Sequence, residues 1–241
     1  MLKRVFTFLF FIITVAMATA QPQKQAVQFY KAGIKLKDKG YYNEAITAFK
    51  KATAFNKKYD SAYLQMGIIY TKISKADSAI IILSNAVKVI PGFAGAYILM
   101  GNIYRDYKNN PDEAITNYLN ALKTDSINKA TYYSLAWCNN AKGNYREAIN
   151  YGKKSLEIDN NYKPAYNELG HAYRKLNAYT ECVEQFKKNL AISVNELPLI
   201  YSAYSYLELN QKGEALKMYE ALKKINEKAA EGVKKKIDEK Q

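Results

Sequence analysis

The sequence predicts an all-α fold, a solenoid of antiparallel helix hairpins with a C-terminal capping helix. Small residues recur every 33–35 residues over most of the 241-residue chain, at Ala45, Ala79, Ala114, Ala148, Cys182 and Ala215. Bulky residues keep nearly the same step, at Phe29, Tyr63, Tyr97, Tyr132, Tyr166 and Leu199. Within each period, apolar residues recur at three-to-four spacing in two bursts, which is typical of two helices. A period of this length indicates hairpins that stack on their neighbours.

The two series of residues define six repeats. We assign them to residues 26–59, 60–93, 94–128, 129–162, 163–195 and 196–228. The third is one residue longer, and the extra residue falls in the stretch Asn109-Asn110-Pro111, which ends one helix and places proline in the first turn of the next. In the first, fourth and sixth repeats we expect Gly40, Gly143 and Gly213 to lie near the end of the first helix.

The eighth position of each repeat is a small residue: Gly33, Gly67, Gly101, Ala136, Gly170 and Ala203. Glycine within a helix costs about 0.5–1 kcal/mol relative to alanine. Its recurrence therefore predicts a structural need, the close approach of a neighbouring helix. Large side chains such as Phe49 and Phe186 on the second helices are expected to fill the space beside these small residues.

Residues 1–20 are predicted to be a cleaved signal peptide. Lys3 and Arg4 precede an apolar run of about 14 residues, and Ala18-Thr19-Ala20 has the small-residue pattern of a cleavage site. A membrane-spanning helix needs about 20 residues, so an uncleaved anchor is the less favoured alternative. The sequence thus predicts export, with cleavage after Ala20 and a periplasmic or envelope-associated location.

The chain is strongly basic, with a formal charge of +14 that falls to +12 when Lys3 and Arg4 are removed with the signal peptide. Such a charge favours encounters with anionic surfaces and acidic partners. The two cysteines, Cys138 and Cys182, form no C-x-x-C motif and no Cys/His cluster. We interpret them as small buried thiols rather than redox or zinc ligands.

The repeated residues resemble the tetratricopeptide repeat. The second repeat shows Tyr63, Met66-Gly67, Tyr70, Ala79, Leu83, Ala86-Val87 and Pro91 at the positions of that pattern. The fifth shows Tyr166, Leu169-Gly170, Tyr173, Tyr179, Cys182, Phe186 and Leu190. The resemblance covers residues 24 to 228 and implies a right-handed superhelix. The fourth repeat departs from the pattern at Asn139 and Gly152, where we expect looser packing or a functional reason for it.

The resemblance also implies a concave groove lined by the first helices, near positions 2, 5, 9 and 12 of each repeat. At its front these positions hold aliphatic residues such as Leu64, Ile68 and Ile98. In repeats three to six these positions hold mostly aromatic, amide and basic residues, and there we predict a partner-binding groove. Its residues are Asn102, Arg105, Tyr133, Trp137, Asn167, His171, Arg174 and Tyr204, with Asn140 and Ile200 beside them. Trp, Tyr and Arg are enriched at binding hot spots, and asparagine can pair with a peptide backbone. Packing between hairpins is the alternative role for the aromatic residues.

Six lysines recur in pairs at one place on the second helices: Lys50, Lys51, Lys153, Lys154, Lys187 and Lys188. The repeat geometry predicts that they face outward on the convex side. Solvated helix surface accounts for such a pattern, and the sharper interpretation is a basic ridge that contacts an anionic surface.

The sequence contains no phosphate-binding loop, nucleophile motif or metal-ligand cluster, so we predict a non-enzymatic protein without a cofactor. The expected function is a scaffold that binds a protein or peptide segment in its groove, within a bacterial envelope assembly. An envelope glycan- or anionic-surface-binding module is the alternative. No nucleic-acid partner is expected, because no base-reading motif is present. The clamp with which some relatives hold a partner's C-terminal carboxylate is missing, since Tyr30 and Ile34 occupy its first two positions.

After the sixth repeat, Ile225, Ala229, Val233 and Ile237 step by four residues, with lysine and glutamate between them. This spacing predicts an amphipathic helix that caps the last repeat and keeps its polar side in solvent, and a partner-binding tail is the less favoured alternative. Residues 229–241 are assigned to its charged end.

Overall fold

The computed structural model describes residues 21–240, and all of the regular structure in this range is helical. The predicted signal peptide lies outside the described residues. Within them, none of the helices combines the length and hydrophobicity that a membrane crossing requires. The all-α prediction is confirmed.

The described helices belong to two compact units, divided between Asn109 and Asn110. The first unit contains α1 (residues 21–38), α2 (Tyr42–Phe55), α3 (Asp60–Lys72), α4 (Ala76–Val89) and α5 (Ala94–Asp106). The second contains α6 (Pro111–Leu122), α7 (Lys129–Ala141), α8 (Tyr145–Ile158), α9 (Lys163–Lys175), α10 (Tyr179–Ile192), α11 (Glu196–Glu208), α12 (Lys212–Lys223) and α13 (Glu227–Glu239).

Within each unit, consecutive helices pack on each other, and alternate helices meet as well. In the first unit α3 contacts both α4 and α5, and in the second α9 contacts α7, α8, α10 and α11. Each hairpin therefore contacts mainly its neighbours, as expected of stacked repeats. The hydrophobic core accordingly forms as separate clusters, one of which joins α11, α12 and α13 around Tyr206, Leu222 and Val233.

The turns that end the first helices share one backbone conformation. One residue at each turn has a left-handed φ between 46° and 82°: Gly40, Ser74, Asn109, Gly143, Asn177 and Asn210. In five of these turns the next amide donates to the carbonyl five residues back, at 2.8–2.9 Å, for example Tyr41 N–H to Leu36 O. This bond is the Schellman closure of a helix C-terminus. The prediction for Gly213 is wrong, because Asn210 occupies the turn and Gly213 lies inside α12.

Small and large residues interlock between the two helices of a hairpin. A Cβ atom added at Gly33 would lie 2.6 Å from the Phe49 ring, and one added at Gly170 would lie 2.4 Å from the Phe186 ring. Both phenylalanines are fully buried. The glycines are therefore required by the close approach of an aromatic ring, whose burial supplies far more than glycine costs the helix.

The fourth repeat does not have the looser packing expected at its two departures from the pattern. The space beside Gly152 is filled by Leu169, because an added Cβ would lie 2.9 Å from that side chain. Asn139 is buried, and its Nδ2 donates to the Leu135 carbonyl at 2.8 Å. Both substitutions are thus compensated locally, one by a neighbouring leucine and one by a backbone hydrogen bond.

Polar side chains join consecutive helices near the ends of α8 and α10. Ser155 Oγ donates to the Lys129 carbonyl at 2.9 Å, and Asn189 Nδ2 donates to the Lys163 carbonyl at 3.0 Å. Both side chains are buried, and each acceptor lies 26 residues earlier, in the first turn of the preceding helix. These bonds hold the beginning of α7 and α9 against the end of the following helix, which fixes the first helices that carry the predicted groove residues.

The C-terminal helix packs as a cap, with three of the four predicted residues, Ala229, Val233 and Ile237, in the core that it shares with α11 and α12. Ala230, Val233 and Ile237 are buried against α11 and α12, whereas Ile225 precedes α13 and is largely exposed. Asn226 caps the helix by accepting the Ala229 amide, so the helix begins after Ile225. The buried stripe therefore has spacings of three and four rather than four throughout.

Candidate functional site

A cleft of about 260 Å³ crosses α7, α9 and α11 in the second unit. These helices are the first helices of the fourth, fifth and sixth repeats, and each contributes two or three side chains. The cleft is lined by Trp137, Asn140, Ala141, Asn167, Glu168, His171, Leu197 and Tyr201. The structure thus brings together three of the predicted groove residues, Trp137, Asn167 and His171, and the neighbouring Asn140.

The amide side chains in the cleft are held by hydrogen bonds. Asn140 Nδ2 donates to the Glu168 carbonyl at 3.0 Å and to Glu168 Oε2 at 2.8 Å. Asn167 Oδ1 accepts from Asn189 Nδ2 at 2.9 Å, so α10 fixes its orientation. These bonds use the Asn167 oxygen and leave its Nδ2 hydrogens for solvent or a ligand. The cleft therefore combines a preorganised amide donor with an aromatic wall.

His171 lies in the middle of the cleft, half-buried, with its ring 6.4 Å from that of Tyr145. Burial lowers the pKa of the imidazole, and the charges of Arg174 and Lys175 lower it further. The imidazole is thus neutral at pH 7, with one nitrogen that donates and one that accepts a hydrogen bond. That form suits a peptide group, which also offers both a donor and an acceptor.

Arg174 and Tyr204 line a separate cavity of about 470 Å³ beside α13. The Arg174 guanidinium also stacks over the Tyr201 ring at 4.7 Å, and Tyr201 itself belongs to the cleft. Tyr133 lines neither space, and its ring packs edge-on against Tyr162 at 5.9 Å. This contact fits the packing alternative considered for Tyr133.

The remaining two groove candidates lie on α5, in the first unit. Arg105 Nε and its terminal nitrogen donate to the two carboxylate oxygens of the adjacent Asp106, at 2.6 and 2.9 Å. Asn102 is half-buried on the same helix. Asn102 and Arg105 therefore belong to the first unit, and neither lines the cleft of the second unit.

The six predicted ridge lysines face solvent to different degrees, and several are already engaged. Lys51 lies over the Phe29 ring, Lys154 over the Tyr132 and Tyr151 rings, and Lys187 over the Tyr206 ring, at 5.4–5.9 Å. Lys188 forms an ion pair with Glu184 at 2.7 Å, while Lys50 and Lys153 are exposed. The ion pair with Glu184 balances the charge of Lys188, whereas the cation–π contacts orient the other three ammonium groups and leave their positive charge in place.

Sequence reasoning missed Leu197, Glu168 and Tyr201. Leu197 occupies position 2 of the sixth repeat, so the position rule taken from the family could have identified it. Glu168 and Tyr201 both occupy position 6, which that rule omits. No cluster of three or more potential metal ligands occurs among residues 21–240, and the cleft side chains form no nucleophile–base pair.

Stacked helical hairpins with a cleft across their first helices define the class of repeat proteins that bind through an extended surface. Tetratricopeptide-repeat models match residues 33–74, 94–128, 130–162 and 164–193. The chain therefore belongs to the tetratricopeptide-repeat family, whose fold serves as a protein-interaction scaffold and is generally non-enzymatic. The solenoid prediction is confirmed.

Solved structures with the same fold support this assignment. The MamA protein is 25% identical over 70% of this chain and 92% of its own, with a TM-score of 0.63. PilW, described as a widely conserved type IV pilus biogenesis factor, is 18% identical over 86% of this chain and 97% of its own, with a TM-score of 0.70. YrrB, described as a TPR protein with an unusual peptide-binding site, is 20% identical over 78% and 98%, with a TM-score of 0.68. No curated protein sequence matches the chain significantly.

Proposed function

We propose that the protein is an exported, non-enzymatic scaffold that binds an extended polypeptide segment across α7, α9 and α11, within a bacterial envelope assembly. The observation that carries the proposal is the cleft itself. It combines the single tryptophan and the single histidine of the chain with an oriented asparagine amide, on three consecutive first helices. The proposed export rests on the signal-like sequence of residues 1–20.

The chemistry of the cleft fits a peptide backbone. Trp137 supplies an apolar surface of the kind that dominates binding hot spots. Asn167 supplies a donor for a peptide carbonyl, and neutral His171 supplies either a donor or an acceptor. The hydrogen bonds that fix Asn140 and Asn167 in the unbound protein reduce the entropy lost on binding.

Site-specific photocrosslinking tests the proposal. p-Benzoylphenylalanine is placed at Leu197, which lines the cleft, and in a matched control at Leu119 on α6, since these two leucines are 42% and 40% exposed. Each protein is expressed in the native host and irradiated, and the crosslinked peptides are sequenced by mass spectrometry. We expect a defined polypeptide segment at position 197 and none at position 119. Trp137→Ala should abolish the crosslink while helical circular dichroism is retained.

Two other outcomes reject the proposal. Equal crosslinking at both positions would mean that the cleft is not the binding surface. Retention of the protein on envelope polysaccharide, with no polypeptide recovered at position 197, would instead favour the glycan-binding alternative. N-terminal sequencing tests export separately, because a mature chain that starts at Gln21 supports processing and one that starts at Met1 contradicts it.

A further inference from the structure

The cavity beside the cap helix contains an arginine that has no carboxylate partner among the described residues. It lies among α9, α11 and α13 and measures about 470 Å³. Its walls are formed by Arg174, Tyr204, Leu207, Glu208, Lys236, Glu239 and Lys240. Three cations and two carboxylates face this space, which leaves an excess of one positive charge.

The two carboxylates are already paired with lysines. Lys240 Nζ lies 2.9 Å from Glu208, and Lys236 Nζ lies 3.0 Å from Glu239. No carboxylate of residues 21–240 lies within ion-pair distance of Arg174, and its Nε is buried without a hydrogen-bond partner. The excess charge is therefore located on Arg174.

The surroundings of Arg174 favour an anionic ligand. Its guanidinium stacks on the Tyr201 ring at 4.7 Å, which holds the plane of the group and removes water from one side. A donor that is buried without a partner is destabilising, so a ligand that accepts its hydrogen bond relieves that cost. A planar carboxylate matches the guanidinium with two parallel hydrogen bonds.

Charge distinguishes a carboxylate from a phosphate at this position. A carboxylate carries one negative charge, which balances the excess on Arg174. A phosphate carries up to two, and it would face the oxygens of Glu208 and Glu239 across the cavity. Tyr204 and Leu207 add an apolar wall that suits the aliphatic part of a peptide rather than a fully hydrated ion.

We propose that this cavity binds the carboxylate of a polypeptide whose preceding residues occupy the neighbouring cleft. This inference rests on the proposed function, because Arg174 contacts Tyr201 and Tyr201 lines the cleft. The cap helix then has a binding role, since its last turn supplies Lys236 and the residue after it is Lys240, both in the same wall. The carboxylate belongs either to the partner's C-terminus or to an aspartate or glutamate side chain.

Nuclear magnetic resonance of the arginine Nε–Hε group tests the inference directly. The chain has arginines at positions 4, 105, 146 and 174, and Arg174→Lys assigns the relevant signal by its loss. N-acetylglycine represents a C-terminal carboxylate, N-acetylaspartate with an amidated α-carboxyl group represents a side chain, and N-acetylglycinamide is the neutral control. We expect a saturable shift of the Arg174 signal with one or both acids and none with the amide. No shift with either acid, or an equal shift with the amide, overturns the inference.

Two variants separate a paired carboxylate from general charge attraction. Arg174→Lys keeps the charge but loses the second hydrogen bond, so calorimetry should show roughly fivefold weaker binding of the acid or a greater loss. Glu208→Gln removes a competing negative charge and should tighten binding, whereas Glu220→Gln, which lies on α12 and outside the cavity, should leave it unchanged. Equal binding by wild type and Arg174→Lys, or stronger displacement by inorganic phosphate than by either acid, contradicts the inference.

The two proposals fail in distinguishable ways. A peptide crosslinked at position 197, together with an unresponsive Arg174 signal, leaves the cleft assignment standing and removes the carboxylate site. A responsive Arg174 signal without a crosslink removes the peptide cleft instead, and with it the proposed source of the carboxylate.

Discussion

Replacing Gly170 with alanine should destabilise the second unit, although alanine is the better helix former. The added Cβ would lie 2.4, 2.6 and 2.7 Å from three atoms of the Phe186 ring, where ordinary contact is 3.4–4 Å. The ring must therefore retreat by about 1 Å inside a packed interior, and overpacking of this kind costs about 1–3 kcal/mol. The higher helix propensity of alanine offsets about 0.5–1 kcal/mol of this cost. We expect a net loss of about 1–2 kcal/mol in the free energy of unfolding.

Gly232→Ala is the matched control. Gly232 lies in the middle of α13, is exposed, and has nothing within 4 Å of an added Cβ. Here the propensity effect acts alone, so the variant should be more stable by about 0.5–1 kcal/mol. The two variants make the same chemical change and are expected to differ in sign.

Urea unfolding followed by tryptophan fluorescence measures both variants. Trp137 is the single tryptophan of the chain, and its helix α7 contacts α9, which carries Gly170. Phe186→Leu should cost less in the Gly170→Ala background than in wild type, because the smaller side chain relieves the overlap. If Gly170→Ala proves as stable as wild type or more stable, the interlocking of small and large residues does not explain the repeated glycines.

Three further predictions concern a turn, the histidine and a buried amide. Ser74 has a left-handed φ of 59°, so Ser74→Gly should raise the free energy of unfolding by about 0.5–1 kcal/mol in thermal melts, and a lower melting temperature would argue against strain there. His171 should titrate below its ordinary pKa of 6.5 by proton resonance, because burial, Arg174 and Lys175 all disfavour its charged form. The unfolded chain then binds more protons just below pH 6.5, so the contribution of His171 to stability is complete above that pH and falls as the pH drops through the lowered pKa. A pKa above 6.5 would contradict the described environment. Asn189→Leu removes the hydrogen bonds to Asn167 and to a carbonyl in the first turn of α9, and should lower the unfolding free energy by about 1–3 kcal/mol in urea; an unchanged midpoint would show that the bonds contribute little.

The helices and their order could be predicted because the same pattern of small and bulky residues occurs in each of the six repeats. The turns were harder to assign. Glycine readily adopts a left-handed φ, so the residue type alone indicates the turns at Gly40 and Gly143. Ser74 and Asn210 also have a left-handed φ, but only their position in the repeat indicates it. Gly213 was wrongly assigned to a turn, because glycine can occupy a turn but can also lie within a helix, as it does in α12.

The candidate cleft could be predicted in part. Trp137 and His171 occupy groove positions of the family and meet in the structure, whereas Tyr133 occupies such a position and packs against Tyr162 instead. Periodicity predicts which face of a helix a side chain occupies, but not which of two neighbours it contacts. Arg174 and Tyr204 were predicted as groove residues, but the cavity that they line could not be predicted, since it depends on where α13 packs.

The Schellman closures have a consequence for how such a chain can change in length. Each of the turns at Gly40, Ser74, Gly143, Asn177 and Asn210 is closed by bonds within six residues, so its geometry does not depend on distant sequence. A tandem duplication of about 34 residues that begins and ends at two such turns would insert a hairpin with its own termination signal. Helical circular dichroism per residue should then match that of the parent. A lower value would mean that the closures depend on the surrounding array.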